Sequence, residues 1–403
     1  MVPNGWKLDT IEEISSVSSG GTPSRTNESY WNGNIPWVTT AEVQFKIIED
    51  TAEKITEEGL ANSSAKLFPV DTILIAMYGQ GKTRGQVAKL GIEASTNQAC
   101  AAIILKAGYH VDYYYQFLIS QYDNIREMAN SGGQENLSGG IVKSIKVPVP
   151  PLPEQKKIAQ ILSTWDRAIS TTEQLLANSQ QQKKALMQQL LTGKKRLLDK
   201  NGVRFSGEWK FQSISQISKR IQRKSDGEDH PILTISSLSG FVRQDERYSR
   251  YMAGESVKNY ILLKQGEFAY NKGNSKTYEF GCIFDLDSYT SGLVPHVYVC
   301  FKLHQGLSHR YFKYLFEADY LKPQLGALVN TGVRNNGLLN IKPSEFMNAK
   351  VPVPCFDEQE QIADVLHASS ETINKLQLKL DALKQEKKAL MQQLLTGKRR
   401  VQL

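Results

Sequence analysis

The sequence predicts an α+β protein that is written twice: two globular domains alternate with two long helices that pair as a coiled coil. Three observations predict it. Residues 147–163, VPVPPLPEQKKIAQILS, return at 351–367 as VPVPCFDEQEQIADVLH, and KKALMQQLLTGK at 183–194 returns letter for letter at 387–398, both at an offset of 204. The repeated segments carry apolar residues at a 3.5-residue period, and the segments between them mix short strand-like runs with helical ones. The chain therefore divides into a globular domain at 1–146, a helical region at 147–198, a second globular domain at 199–350 and a second helical region at 351–403.

In the first domain, 72–76, 86–90 and 99–105 read as strands and 111–128 as a helix. In the second, 267–270, 280–285 and 296–303 read as strands and 308–321 as a helix. The two share a weak framework. Gly5-Trp6-Lys7 followed by Ile11 and Ile14 answers Glu208-Trp209-Lys210 followed by Ile214 and Ile217, at an offset of 203.

Each helical region opens with prolines, Pro148, Pro150, Pro151 and Pro153 in the first copy, which push their neighbours towards extended geometry. Pro153 or Asp357 then starts a helix with Glu154 or Glu358 in its first turn. It runs to Gly193 or Gly397, the expected left-handed residue past the end, where 194–196 and 398–400 place cations beside the negative helix terminus. About 37 residues at ~1.5 Å each make a rod of about 55 Å. The seam is Ile158, Leu162, Trp165, Ile169, Leu176, Leu186 and Leu190 in the first copy. In the second it is Ile362, Leu366, Ile373, Leu376, Leu380, Leu383, Leu390 and Leu394. Two amphipathic helices packed separately on their own domains are the alternative; helices this long then leave apolar stripes uncovered.

Composition narrows the class. Of 403 residues, 40% are hydrophobic and 22% charged, which suits ordinary globular domains. The N-terminal residues lack an apolar signal region, and no apolar stretch is long enough to cross a bilayer, so no membrane is expected. Cys100, Cys282, Cys300 and Cys355 stand far apart, which excludes a paired-cysteine zinc ribbon and fits a reducing cytosol. The net charge of +8 is uneven: residues 1–146 carry −4, residues 147–200 +5 and residues 201–350 +6. Charge alone does not identify a nucleic-acid partner.

No catalytic constellation emerges. Gly79-Gln80-Gly81-Lys82-Thr83 follows a strand and imitates a phosphate loop, but that loop needs a helix directly afterwards. Gln86-Val87-Ala88-Lys89-Leu90 alternates polar with apolar and reads as a strand instead. Asn34-Ile35-Pro36-Trp37 resembles the Asn-Pro-Pro-aromatic loop of amino-methyltransferases, with Ile in place of the first proline and no glycine-rich cofactor loop before it. The six histidines show no metal spacing, so no metal site is expected.

Two loops do suit nucleic acid. Tyr78, Gln80, Lys82, Thr83 and Arg84 lie among glycines in the first domain. Tyr270, Asn271, Lys272, Asn274, Ser275, Lys276 and Tyr278 flank Gly273 in the second. Lys and Arg neutralise phosphates, and Arg, Asn and Gln read base edges. A solvated hairpin accounts for one such loop; two at matching places favour DNA. Lys219, Arg220 and Arg223 form a basic run that is either a solvated face or a phosphate-contacting edge. A coiled-coil scaffold with no DNA function is the rival reading, supported by the negative charge of the first domain.

VPVPPLPEQKKIA, VPVPCFDEQEQIA, both copies of KALMQQLLTGK, and Gly20-Gly21-Thr22-Pro23-Ser24 leading to Tyr30-Trp31 and Ile35-Pro36-Trp37 carry a specific resemblance. Over its whole length the chain is similar to the specificity subunit of type I restriction–modification enzymes. The second domain departs from that pattern, having no GGTPS or IPW. The resemblance implies two target-recognition domains in pseudo-twofold arrangement, an antiparallel helical pair as spacer, and double-stranded DNA read as an asymmetric split site. The rod of about 55 Å then bounds the separation of half-site centres at roughly 16 base pairs. Thr39 and Thr40, after the IPW run, join the candidate DNA contacts. It further implies no catalytic residues and no cofactor on this chain. Two modification subunits methylate adenine with S-adenosylmethionine, and restriction subunits join through them and use ATP and magnesium. The implied setting is the prokaryotic cytoplasm.

Overall fold

The computed structural model describes residues 2–79, 81–130, 136–247, 254–273, 275–329 and 339–402. The chain forms two compact units, Met1–Glu173 with Leu378–Leu403 and Gln174–Gln377. Each long helix, Leu152–Leu190 and Phe356–Leu394, gives one part of itself to each unit.

Unit 1 is built on a five-stranded sheet in the order Ser15–Ser19, Cys100–Leu105, Ile73–Ala76, Val87–Leu90, Ile47–Ile48. All its pairings are antiparallel except the last. The four residues of Ile73–Ala76 are buried on both faces, which explains their continuous apolar run. A second sheet orders Glu53–Ile55, Trp31–Val38, Ala94–Thr96, Leu67–Phe68. The expected helix at 111–128 is two helices, Val111–Ser120 and Tyr122–Asn130, divided at Gln121. The first sinks Tyr113, Tyr114, Phe117 and Leu118 into the core. The second turns away to bring Tyr122 and Arg126 to the sheet's hairpin loop.

Unit 2 repeats the plan. Its sheet runs Ser218–Ile221, Val299–Leu303, Phe268–Asn271, Cys282–Asp285, all antiparallel. The expected helix at 308–321 is His309–Glu317, followed by Lys322–Leu328. The break falls at Asp319, whose φ of +53° is left-handed and cannot continue a helix.

The prolines of the repeats do not abolish regular structure. Lys146–Val149 pairs with Lys7–Thr10, and Lys350–Val353 with Lys210–Ser213. A two-stranded ribbon has open outer edges where proline's missing N–H costs no bond.

Within each unit the two helical segments run antiparallel. In unit 1, Asp166 pairs with Lys387 at 2.5 Å and Glu173 with Lys384 at 2.7 Å, one number rising as the other falls. Ile158, Ala159 and Leu162 share a core with Met391, Leu394 and Leu395. In unit 2, Met187, Leu190 and Leu191 share one with Ile362, Ala363 and Leu366. Of the seam positions, Ile158, Leu162, Leu176, Leu190, Ile362, Leu366, Leu380 and Leu394 are buried. Trp165, Ile169, Leu186, Ile373, Leu376, Leu383 and Leu390 are half-buried. Gly193 and Gly397 both take a φ of +71° just past the helix ends.

The repeated Glu-Gln pair ties helix to domain. Glu154, buried, accepts from Trp6 Nε1 at 3.2 Å and from Arg400 Nε at 2.8 Å, and Arg400 Nη1 continues to the Asn4 carbonyl at 2.9 Å. The Arg400 guanidinium, and after it the Trp6 indole, hold the Glu154 carboxyl below its ordinary range. Glu358 does the same work in unit 2, accepting from Trp209 Nε1 at 2.9 Å and Arg196 Nη2 at 2.7 Å. The terminal basic clusters therefore do more than balance a helix end: one arginine of each pairs with a buried carboxylate. Gln155 bridges the Pro150 carbonyl and the His110 N–H, both at 2.8 Å, and Gln359 bridges Pro354 and Ser308 likewise.

Candidate nucleic-acid interface

In unit 1 the phosphate-loop imitation is the tip of a β-hairpin. Ile73–Ala76 pairs antiparallel with Val87–Leu90, and Gly85 N donates to Ala76 O at 2.8 Å to close the loop. No helix follows, so the backbone N–H groups have no helix end to converge with. Gly79, Gly81 and Gly85 have φ of +140°, +63° and +84°, and this concentration of left-handed backbone lets the loop fold tightly.

Helix Tyr122–Asn130 props the loop from one side. The Tyr122 hydroxyl donates to Lys82 O at 2.5 Å, and Arg126 donates to Gly81 O at 2.9 Å and to the Tyr122 oxygen at 3.1 Å. Tyr122 and Arg126 are four apart and so share a helix face. With the Lys82 and Gly81 carbonyls tied down, the exposed Tyr78 and Lys82 side chains face solvent, and Thr83 and Arg84 are half-buried. Gln80 lies outside the described residues.

Thr39 is committed locally: its hydroxyl and amide both bond the Glu42 carboxylate, at 3.0 and 2.8 Å, and cap the short turn Thr40–Glu42, where Thr40 is half-buried. The GGTPS and IPW runs are structural as well. A Cβ on Gly20 would stand 1.9 Å from Thr96 O, and Trp37 Nε1 donates to Gly21 O at 3.0 Å. Arg25 lies 3.8 Å over the Trp31 ring and pairs with Glu53.

In unit 2 the matching hairpin joins Phe268–Asn271 to Cys282–Asp285. Two expected contacts are corrected here. Tyr270 is fully buried, stacked on Phe346 at 4.3 Å, with its hydroxyl donating to Phe280 O at 2.8 Å. Tyr278 is buried too, its hydroxyl donating to Glu317 O at 3.3 Å. Tyr270 lies in a strand buried on both faces, and Tyr278, in the loop beyond it, folds back into a second apolar cluster with Ala269 and Cys282. Lys272 is half-buried, bonds Ile341 O at 3.1 Å, and burial followed by nearby Arg220 lowers its ammonium's pKa. Asn271 and Ser275 are half-buried, Lys276 is exposed, and Asn274 lies outside the described residues.

The basic run at 219–223 divides. Arg223 is corrected to a structural residue: it forks onto the buried carboxylate of Glu267 at 3.0 and 3.2 Å and onto Leu262 O at 3.1 Å. Lys219 and Arg220 are exposed, and Lys219 stands directly opposite Lys302 across the ladder. Like charges in that position repel. The two lysines and Arg220 line a cleft of 410 Å³ together with His304. The sequence pointed to Lys219 and Arg220; it held no signal for Lys302, because strand register is a tertiary fact. Tyr122 and Arg126 were missed for the same reason.

Among the described residues, Asp226, Glu228 and His230 bring their ligand atoms within 4.8 Å of one another. His230 Nε2 already pairs with Asp226 at 2.7 Å and Nδ1 with Ser291 at 2.9 Å, so neither ring nitrogen is open to a metal. Among the described residues no helix is long and apolar enough to cross a membrane.

A family model described as the type I restriction modification DNA specificity domain matches residues 3–178. The chain is 33% identical over 175 residues to the MjaIX specificity subunit of Methanocaldococcus jannaschii, covering 42% of this chain and 39% of the relative. It is 32% identical to the EcoR124I/EcoR124II specificity subunit of Escherichia coli over 40% of each. These two matches thus span about two fifths of the relatives' length. A third, at 24% identity to the MjaVIII specificity subunit of M. jannaschii, covers 99% of this chain and 94% of the relative. Among solved structures, the type I restriction–modification S subunit of M. genitalium superposes over 98% of both chains with a TM-score of 0.57 at 12% identity, which is a likeness of fold. The matched domain and the full-length relatives point the same way: residues 3–178 match the type I restriction modification DNA specificity domain, and over its whole length the chain is similar to specificity subunits of type I restriction enzymes.

Proposed function

We propose that this chain selects DNA sequence for a type I restriction–modification complex, each globular domain reading one half of an asymmetric split site in double-stranded DNA. One observation carries the reading: the same hairpin, in the same sheet position, is presented by both units with different residues at its tip. A common framework with unlike loops suits two unlike half-sites. The hairpin is a two-stranded ribbon, a shape the major groove admits. Tyr78, Lys82, Thr83 and Arg84 in unit 1, and Asn271, Lys272, Ser275 and Lys276 with Lys219, Arg220 and Lys302 in unit 2, are the proposed contacts.

The partners follow from the repeat. Packing accounts for the identity of Met187, Leu190 and Leu191 with Met391, Leu394 and Leu395. It does not account for Lys184, Ala185, Gln188, Gln189, Thr192 and Lys194, which are exposed and identical to the exposed 388, 389, 392, 393, 396 and 398. Two equal exposed faces fit two copies of one partner, here the modification subunit, which supplies S-adenosylmethionine-dependent adenine methylation. Restriction subunits with ATP and magnesium join through it. The helical pair is the proposed spacer. Seven residues inserted near 178–181, and seven in the facing stretch near 373–376, keep the 3.5-residue register and should lengthen the unread gap alone.

The test is N6-methyladenine mapping of the host genome by long-read sequencing, with this chain present and deleted. A split motif lost on deletion supports the reading. A stable complex with no motif of its own favours a scaffold.

A further inference from the structure

Unit 1 carries a partly exposed aromatic side chain on a strained backbone. Phe45 sits at a φ of +54°, a left-handed conformation that bulky residues adopt only at a cost in strain. The residue is 37% exposed, and Ile47, which opens the neighbouring edge strand, is 48% exposed. Phe45 N donates to Val87 O at 2.8 Å, which fixes it beside the return strand of the hairpin. Its ring meets Tyr122 edge-on with centroids 5.1 Å apart, and Tyr122 is the residue that holds the loop tip through Lys82 O. A lone exposed apolar residue is ordinary. A phenylalanine held in glycine's conformation, and built into the support of a loop, is not.

We propose that Phe45 reads the 5-methyl group of a thymine in the half-site of unit 1. The inference rests on the proposed function and names one specificity determinant within it. Base edges in the major groove offer donors, acceptors and a single apolar group, the thymine methyl, so an aromatic ring presented beside a groove-sized ribbon has one feature to contact. Lys82, exposed on the loop that Tyr122 holds, supplies charge for the flanking phosphates.

The experiment starts from the split motif mapped in the host. Duplexes carrying that motif, with each thymine of one half replaced in turn by deoxyuridine, are titrated against the complex of this chain with its modification subunits. Wild type, Phe45→Ala and Phe45→Gly are compared. One deoxyuridine position should weaken wild type about fourfold, the worth of a buried methyl, and leave both variants unchanged. Phe45→Gly should unfold at a higher temperature than Phe45→Ala, because glycine relieves the strain, while binding no better. The Gly–Ala difference in unfolding temperature reports the backbone strain, and the deoxyuridine response alone reports recognition, which a packing role would leave equal in wild type and variants. A half-site without thymine, or wild type and Phe45→Ala responding alike at every position, overturns the assignment. So does loss of the modification subunits from the complex in both variants, which makes the patch a protein-docking surface. Failure of the proposed function itself looks different: wild type then yields no split motif at all.

Discussion

Removing Arg400 should cost unit 1 more than neutralising the glutamate it binds. The Glu154 side chain is 5% exposed and the Arg400 side chain 42%. Arg400→Ala leaves a buried carboxylate with one protein donor, Trp6 Nε1 at 3.2 Å. Breaking a fully buried pair costs about 3–5 kcal/mol, and the half-open position of Arg400 lets water in, so about 2–3 kcal/mol is expected. Glu154→Gln keeps an oxygen for the indole and the guanidinium and leaves its cation partly hydrated, so about 1 kcal/mol is expected. In the Arg400→Ala background the second substitution should restore stability, because it removes the unpaired charge.

The pH dependence separates the two as well. In wild type the Glu154 carboxyl titrates below its unfolded value, chiefly because of Arg400. Its stabilisation is present above the unfolded pKa, near 4.5, and is lost as pH falls through the folded one. Without Arg400, burial raises the carboxyl and outweighs the remaining Trp6 bond. The sign then reverses, and acidification towards the carboxyl's ordinary value should stabilise the variant. A chain of two units need not unfold in one step, so the assay is hydrogen exchange of 7–14 and 146–166 at several pH values, with Arg196→Ala as the matching perturbation in unit 2. Equal costs for Arg400→Ala and Glu154→Gln, or no gain on acidification, would refute the reasoning.

The identical repeats should answer identical substitutions unequally. A Cβ on Gly397 would lie 2.4 Å from Pro3, whereas one on Gly193 meets nothing closer than 3.4 Å, at the Trp209 ring. Both alanines incur left-handed strain of about 1–2 kcal/mol, and only Gly397→Ala should add overpacking of about 1 kcal/mol or more, read by urea unfolding with unit-resolved exchange. Asp319→Asn should stabilise unit 2 near pH 7. Burial pushes this carboxyl up to about 6, so its ionisation costs stability as pH rises from about 4 through 6, and asparagine also accepts the left-handed φ of +53°. After discounting for solvent at a half-buried site, a gain on the order of 1 kcal/mol at pH 7, vanishing near pH 4, is the expected melting result. Under the proposed function, Lys219→Ala with Lys302→Ala should weaken binding to all duplexes alike and lower the salt slope by about two. A change confined to one base position would make them readers instead.

Much of the fold was legible because its devices are local. The seam shows as a 3.5-residue period, the helix ends as Gly193 and Gly397, and the duplication as letters repeated at a fixed offset. The hairpin that imitates a phosphate loop was legible from the alternation of 86–90 alone. The site was legible only as composition. Tyr270 and Tyr278 sit in a polar, glycine-containing stretch, and nothing local says that both rings turn into the core. The division at Gln121 carries no proline or glycine, and the one at Asp319 is marked only by Pro323 in the first turn of the helix that follows. Phe45, Tyr122 and Lys82 are scattered over 77 positions of sequence and meet only in the folded sheet.

The uneven charge of the chain has a structural address. Both units follow their first ribbon with a capped single turn, Ile11–Ile14 or Ile214–Ile217, and then an edge strand. At the second residue of that strand unit 1 pairs Ser16 with Ile104, and unit 2 pairs Lys219 with Lys302. One ladder position therefore places two exposed lysines in unit 2 where unit 1 has neither charge. Cross-strand lysines repel each other, a cost that an anion between them would reverse. The framework that makes the units alike thus lets them divide the proposed work. Unit 2 has the means to hold phosphate regardless of sequence, and unit 1, net negative over 1–146, depends on the shape and side chains of its hairpin. Binding through unit 1 should accordingly be the less salt-dependent half, and the more sensitive to a single lost contact.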